Sequence, residues 1–233
     1  MKKDLKSCNP KRCFLCQNCV PEWVPFITGH KKIIHLKRGE DVFKEGEKVN
    51  GIYFLYSGKV KVHKQWNEEK QLIIRFVKEG DILGHRGFGH TNIYPVSATA
   101  LVESTLCFIE HDFFLTTLKM NHELTYKLML FYSSELENAE HRMRDLVHMD
   151  TKGKISDALL MMKNQFGCDW EGNIEMHLTR QDLSSFVGAT YETVFKIINE
   201  LVKEKSIAVK GKEIKILNEK KLQSYTLPVI VKK

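Results

Sequence analysis

Apolar residues recur along this chain with two different periods, and the change of period divides it into regions. From about Ile33 to Ile109, short apolar stretches alternate with regularly spaced glycines, and Val60 and Val62 share one side of the stretch that follows Gly58. A period of two indicates a half-buried strand. Many short strands separated by glycine turns predict a β-barrel or jelly roll.

A helical period begins near residue 112 and continues to about 149. Its apolar residues are spaced alternately by three and four and form one seam: Met129, Tyr132, Leu136, Ala139, Met143 and Leu146. This is the a/d pattern of a coiled coil, which favours packing against the same helix of a second copy. Packing against its own domain is the alternative. Residues 148–154 then predict a hinge, and a further helix is expected over about 154–166.

The stretch from 178 to 217 predicts two short helices followed by a hairpin. Thr179 precedes Asp182 by three residues, as in a capping box, and Gly188 ends the first helix. Thr190 can then cap a second helix, and the KGK turn at 210–212 closes a hairpin. Two helices joined by a short glycine-containing turn form a helix-turn-helix, and the hairpin adds a wing.

Composition and charge narrow the class of protein. The 233 residues are 42% hydrophobic and 28% charged, which is typical of a globular protein. Neither a secretory signal nor an apolar run of about 20 residues is visible, so we expect a cytoplasmic protein without membrane contact. Residues 151–233 carry 14 basic and 10 acidic side chains within a net charge of +7, which is compatible with a polyanionic partner.

Enzymatic motifs are not visible. The chain has no P-loop, no Ser-His-Asp arrangement and no paired-carboxylate pattern. A jelly-roll oxygenase needs a His-x-His pair, whereas GHRGFGH separates its histidines by four residues. We therefore do not expect an enzyme.

Taken together, these motifs resemble the CRP/FNR superfamily of bacterial transcription regulators. LTRQDLSSFVGATYETVFKIINEL with AVKGKEIKI, RGEDVFKEGEKVNGIYFLYSGKVKV, and EGDILG carry the resemblance. It implies an α+β chain in which a β jelly roll like a cyclic-nucleotide-binding domain precedes a long dimerisation helix and a winged helix-turn-helix domain. The expected parts are a Cys-rich segment (1–30), the sensor roll (31–111), the dimerisation helix (112–149) and the DNA-binding domain (150–233).

The resemblance implies a homodimer on a pseudopalindromic duplex operator, with RNA polymerase as a further partner. Glu192, Thr193, Phe195 and Lys196 would face the bases, where Glu192 can accept from cytosine and Lys196 can donate to guanine. The wider DNA surface would add these residues: Thr179, Arg180, Thr190, Tyr191, Lys210 and Lys212.

The roll does not match the cyclic-nucleotide branch of the family. The position of that branch's ribose-binding Glu holds His85, and its Arg-Ser pair reads Val96-Ser97. Without the Arg, a cyclic phosphate loses its strongest charge-assisted contact, so cyclic AMP is not expected. An unidentified effector, or haem, remains an alternative for a pocket near Gly84, His85, Arg86 and Ser97.

The cysteines point to a different signal. Cys8, Cys13, Cys16 and Cys19 lie near the start of the chain, and thiols in a reducing compartment indicate metal or redox chemistry. By resemblance to the oxygen-sensing FNR branch, a [4Fe–4S] cluster would be held by Cys13, Cys16, Cys19 and Cys107, with Cys8 as an alternative ligand. The signal would be oxygen, nitric oxide or redox state. Zinc, or a metal-free thiol switch, stays open.

Overall fold

The computed structural model describes residues 13–67, 70–176 and 178–227. Cys8 lies outside these described residues. The chain divides into two compact units on either side of the bond between Glu135 and Leu136. That division falls inside a long helix, so the two units are described separately below.

The first unit begins with short helices, continues as strands and ends in helices. The unit also contains two 3-10 turns, Pro21–Trp23 between the first two helices and His85–Gly87 among the strands. Its elements in chain order are α1 (Phe14–Asn18), α2 (Val24–His30), β1 (Lys32–Leu36), β2 (Asp41–Phe43), β3 (Gly51–Ser57), β4 (Val60–Gln65), β5 (Gln71–Val77), β6 (Ile82–Leu83), β7 (Ser97–Ala100), β8 (Ser104–Glu110), α3 (His111–Met120) and the first part of α4 (His122–His148).

The strands form two four-stranded antiparallel sheets, in the orders β1-β8-β3-β6 and β2-β7-β4-β5. Successive side chains of a strand alternate between its two faces. In β3, Tyr53 and Leu55 therefore join the core shared by the sheets, whereas Ile52 and Phe54 pack in a second core with Leu15 and the other helix residues. This arrangement confirms the predicted jelly roll.

The interval predicted as one helix contains two, because the backbone leaves the helical conformation at Asn121 (φ −126°, ψ 85°). The Asn121 side chain is fully buried, and its Nδ2 donates to the Thr117 carbonyl oxygen at 2.8 Å. None of the helices in the described parts of the chain has the length and apolar character needed to cross a bilayer.

The second unit continues from α4 as a helical bundle with a two-stranded wing. Its elements are α5 (Thr151–Phe166), α6 (Arg180–Val187), α7 (Tyr191–Lys203), β9 (Ile207–Lys210), β10 (Glu213–Ile216) and α8 (Glu219–Thr226). The interruption after α4 is shorter than the predicted hinge, since Asp150 already caps α5 by accepting from Gly153 N at 2.7 Å. Gly153 lies inside α5, where an added Cβ would be only 2.6 Å from the Tyr225 carbonyl oxygen. This glycine permits close packing of α8 and does not mark a hinge.

Candidate nucleic-acid interface and sensor site

A side-chain cap starts each of the two helices α6 and α7. Thr179 Oγ1 accepts from Asp182 N at 3.0 Å and starts α6, and Thr190 Oγ1 accepts from Thr193 N at 3.2 Å and starts α7. Gly188 ends α6 with φ +67°, a left-handed conformation that favours glycine. The predicted start, break and restart of the helix-turn-helix are therefore confirmed.

Helix α7 is strongly two-faced. Val194, Ile198 and Leu201 are buried against the rest of the unit, because they recur at helical spacing on one side. The opposite side near the N-terminus is exposed and carries Tyr191, Glu192, Phe195 and Lys196. The aromatic rings of Tyr191 and Phe195 are nearly parallel, 12° apart with centroids at 6.5 Å. This end of the helix therefore offers one acid, one base and an apolar ridge to a partner.

The wing presents two further cations. Strands β9 and β10 pair antiparallel, and Lys210 and Lys212 lie exposed around the turn. Gly211 between them has φ +62°, which a two-residue hairpin turn of this kind requires. The predicted turn at residues 210–212 is confirmed.

Three of the predicted contact residues have local roles as well. The Thr179 hydroxyl donates to Asp182 Oδ2 at 2.6 Å, and the Thr190 and Thr193 hydroxyls lie 2.9 Å apart. These hydroxyls are engaged in helix caps. Arg180 is half-buried, and burial lowers the pKa of its guanidinium.

Arg142, near the end of α4, is a residue that the sequence reasoning missed. Its Nη2 donates to the Phe186 carbonyl oxygen at 2.6 Å, and its guanidinium lies 3.7 Å from the centre of the Phe186 ring. Burial lowers the pKa of Arg142 to about 10, with the Asp157 carboxylate acting in the opposite direction. Arg142 thus fixes α6 to the C-terminal part of α4 within the second unit.

Cys13, Cys16 and Cys19 lie on and around α1, which packs against the helix-side face of the first sheet. Cys16, Cys19 and Cys107 are buried, and Cys13 is half-buried. The Cys19 thiol donates to Asn121 Oδ1 at 3.0 Å, and the same oxygen accepts from Val20 N at 3.1 Å. Burial raises the pKa of the Cys19 thiol to about 11, although the contact with the Val20 backbone opposes this shift.

These thiols have the chemistry of iron–sulfur ligands but not the arrangement. Cys19 and Cys107 belong to one apolar core, against which Cys13 packs. Even so, the described residues contain no group of three or more His, Cys, Asp or Glu side chains placed to hold a metal ion. Ligation would also require Cys19 to lose its proton and its bond to Asn121, because thiolates are the ligands. The arrangement therefore does not fit a cluster as it stands.

The predicted effector residues separate into two groups. Gly84, His85 and Arg86 line a cavity in the roll, together with Arg75 and Tyr94 among others. Ser97 does not line it; its hydroxyl accepts from Glu45 N at 2.9 Å instead.

Arg75 and Arg86, which line this cavity, form ion pairs with Asp81 and Glu135, and the sequence reasoning missed Arg75, Asp81 and Glu135. Glu135 Oε2 lies 3.1 Å from Arg75 Nη1 and 3.1 Å from Arg86 Nη2. Asp81 Oδ2 lies 3.4 Å from Arg75 Nη2. A carboxylate of α4 therefore bridges the guanidinium groups of β5 and of the 3-10 turn.

His85 is buried beside this cluster, with a side chain only 5% exposed. Neither ring nitrogen meets a partner at hydrogen-bond geometry within the described residues, and Nε2 is 3.8 Å from Glu135 Oε2. Burial, together with the nearby guanidinium groups of Arg75 and Arg86, lowers the pKa of His85 to about 3. A contact with the Ile82 backbone acts weakly in the opposite direction. His85 is therefore neutral at physiological pH.

The predicted dimer seam is largely uncovered in the single chain. Met129, Leu136 and Met143 are 57%, 62% and 62% exposed, and Ala139 is exposed as well. Tyr132 also serves the roll, because its hydroxyl donates to the His85 carbonyl oxygen at 2.5 Å. Leu146 is half-buried in the second unit.

Comparison with known proteins covers most of the chain. The family model described as "Cyclic nucleotide-binding domain" matches residues 33–121, and the "Crp-like helix-turn-helix domain" matches residues 153–225. The chain is 24% identical over 213 residues to the "CRP-like cAMP-activated global transcriptional regulator" of Mycobacterium tuberculosis, covering 91% of this chain and 95% of that protein. It is 28% identical over 171 residues to the "Anaerobic regulatory protein" of Bacillus subtilis, covering 72% of each.

Among solved structures, FixK2 from Bradyrhizobium japonicum superimposes with a TM-score of 0.76 at 19% identity, covering 85% of this chain and 98% of that one. At this identity the likeness concerns the fold alone. It supports a roll, a long helix and a helix-turn-helix unit in this order.

Proposed function

This chain belongs to the CRP/FNR family of DNA-binding transcription regulators, and from that premise we propose that two copies bind one pseudopalindromic duplex operator in the cytoplasm. The relatives are regulators and not enzymes. The observation that carries the proposal is the capped α7, whose exposed N-terminal end presents Glu192 and Lys196, in a unit whose wing exposes Lys210 and Lys212. Such a helix fits the major groove while the wing contacts phosphates.

The exposed residues of α7 divide into readers of base edges and apolar contacts. Glu192 can accept from cytosine N4, and Lys196 can donate to guanine O6 or N7. Phe195, stacked against Tyr191, offers an apolar edge to a thymine methyl group. We assign sequence preference to these residues, whereas Lys210 and Lys212 contribute affinity without preference.

Selection of bound duplexes from a random pool tests this assignment. We expect a two-fold symmetric site, and Lys196→Ala should change the base preference of each half-site. Lys212→Ala, the matched control for charge, should weaken binding to all duplexes and reduce the dependence on salt by about one phosphate contact per chain, or about two per dimer. A selection that enriches no sequence would contradict base reading by α7.

The uncovered seam supports the dimer. Apolar side chains at coiled-coil spacing that remain exposed in one chain are covered when two α4 helices pair. Leu136→Glu would place two carboxylates in that interface, so we expect a monomer in sedimentation velocity at micromolar concentration. Glu137→Ala, an exposed change next to it on the same helix, should leave the dimer intact.

For the signal, we propose a cysteine-held [4Fe–4S] cluster that reports oxygen, nitric oxide or redox state. Three supports are the thiol ligand type, the placement of α1 against the core that contains Cys107, and a curated relative named for anaerobic regulation. Because the described thiols do not form one group of metal ligands, binding of the cluster would have to rearrange the segment around Cys19.

Anaerobic reconstitution with iron and sulfide tests the cluster. Four irons and four sulfides per chain, lost in Cys107→Ser and kept in Cys168→Ser, would support it. Cys168 is the matched control because it is exposed in the other unit. Tight zinc without iron uptake would contradict the cluster and favour a structural metal.

The alternative signal is a small effector in the roll, with the cysteines holding zinc or acting as a thiol switch. The cavity that His85 and Arg86 line favours this second candidate. Titration of purified protein with cyclic nucleotides, read as DNA affinity, and an absorbance spectrum for haem distinguish it from the cluster. We further propose RNA polymerase as the protein partner of the operator-bound dimer.

A further inference from the structure

The basic wall of the sensor cavity already has an anionic partner within the chain. Glu135 Oε2 is 3.1 Å from both Arg75 Nη1 and Arg86 Nη2, and its side chain is only 17% exposed. Arg75 lies on β5 and Arg86 on the turn after β6, whereas Glu135 belongs to α4. One carboxylate therefore joins three separate elements.

The cluster is balanced in charge. The guanidinium groups of Arg75 and Arg86 face the carboxylates of Glu135 and Asp81, and His85 beside them is neutral. A free anion entering this site would bring an uncompensated charge into a half-buried environment, which is costly. It can be accommodated only where Glu135 has left.

Two neighbours of Glu135 on α4 reinforce its position. The Tyr132 hydroxyl donates to the His85 carbonyl oxygen at 2.5 Å, and the Phe131 ring packs edge-on against the His85 ring with centroids 5.0 Å apart. Phe131 also lies 5.5 Å from the Arg75 guanidinium. Glu135 is thus the charged member of a continuous contact between this turn of α4 and the roll.

We propose that Glu135 is a built-in anionic ligand of the β-roll, which takes the place that a free carboxylate or phosphate would occupy between Arg75 and Arg86. The roll therefore holds the adjoining turn of α4 without an external anion. The proposal rests on the roll being the sensor unit of the proposed function, but it requires neither the cysteines nor DNA binding.

A tethered carboxylate competes well with a free one. Its effective concentration at the site is on the order of millimolar or more, so small anions at lower concentration do not displace it. Removing the carboxylate leaves two largely buried guanidinium groups around a space that a small carboxylate can enter. Acetate should then bind where Glu135 was.

Thermal unfolding with acetate tests this proposal, with chloride at equal ionic strength as the reference. Trp170→Phe removes the reporter of the second unit, so that Trp23 and Trp66 report on the roll. In this background Glu135→Ala should melt lower than the parent, and saturating acetate should raise its midpoint by about 5 °C. The parent and the Glu137→Ala control should show no acetate-specific shift.

Adding Arg75→Ala to Glu135→Ala tests whether acetate binds between the two guanidinium groups. The Arg75→Ala/Glu135→Ala protein should lose the acetate response, because only one guanidinium remains. An acetate response of equal size in the parent, or none in Glu135→Ala, would overturn the proposal.

If Glu135→Ala does not fold, Glu135→Ser, which also opens the space between the two guanidinium groups, decides the question by calorimetry with inorganic phosphate. Phosphate binding to this variant and not to the parent supports a built-in anion, and binding to neither or to both contradicts it. DNA affinity, measured separately on the parent, has no influence on these outcomes. A failure of the proposed regulator function would therefore be seen independently.

Discussion

Lowering the pH from 7 to 5 should weaken the sensor roll through His85. In the folded roll this imidazole is buried among Arg75, Arg86, Tyr132 and Glu135, and its pKa is lowered to about 3. In the unfolded chain it regains an ordinary pKa of about 6.5. Between pH 6.5 and pH 3 the unfolded state therefore binds one more proton than the folded state, and stability falls as the pH falls.

The magnitude follows from the separation of the two pKa values. At pH 5 the unfolded imidazole is almost fully protonated and the folded one is not, which costs about 2 kcal/mol relative to pH 7. The loss would continue to about pH 3, where the folded imidazole also becomes protonated. The Glu135 carboxylate does little to offset this, since both guanidinium groups already share it.

Urea unfolding in the Trp170→Phe background, followed by tryptophan fluorescence, measures this effect. His85→Gln replaces the imidazole by an uncharged polar group and is the control for all other titrating groups. The parent should lose about 2 kcal/mol more than this variant between pH 7 and pH 5. The same pH dependence in both proteins would refute a buried, neutral His85.

Two further substitutions test contacts within single units. Arg142→Met removes a charged hydrogen bond and a cation–π contact to Phe186, and we expect it to cost the second unit about 1.5–3 kcal/mol. Urea unfolding followed by Trp170, in a Trp23→Phe/Trp66→Phe background, measures this cost. A change below about 0.5 kcal/mol would contradict this role of Arg142. Asn121→Ala removes the oxygen that accepts from the Cys19 thiol and the Val20 N–H, so it should lower the free energy of unfolding by about 1–3 kcal/mol. It should also accelerate alkylation of Cys19, measured by peptide mapping. An unchanged alkylation rate would show that Asn121 does not protect Cys19.

The helix-turn-helix could be predicted from the sequence because its determinants are local. A cap is completed within three residues, as at Thr179 and Thr190, and the break at Gly188 needs only a glycine in the left-handed region. The buried face of α7 follows from its spacing alone. The roll could be predicted for a similar reason, because alternation and glycine turns act over a few residues.

The charged cluster could not be predicted, because its members are brought together only by the tertiary fold. Glu135 is 60 residues from Arg75 and 49 from Arg86 in the chain. In the sequence Glu135 reads as an ordinary solvated residue beside a heptad seam. The interruption of the helix at Asn121 could not be predicted either, because it contains neither proline nor glycine. Asn121 instead accepts hydrogen bonds from a segment that is distant in the chain. For the cysteines, residue type indicated the chemistry but not the arrangement.

Stoichiometry on the selected duplex tests the central claim most directly. Sedimentation equilibrium with hydroxyl-radical footprinting should show two chains on one duplex, protecting two half-sites about one helical turn, or ~34 Å, apart. One chain per duplex with a single protected half-site would contradict a dimer that reads a symmetric operator through paired α7 helices.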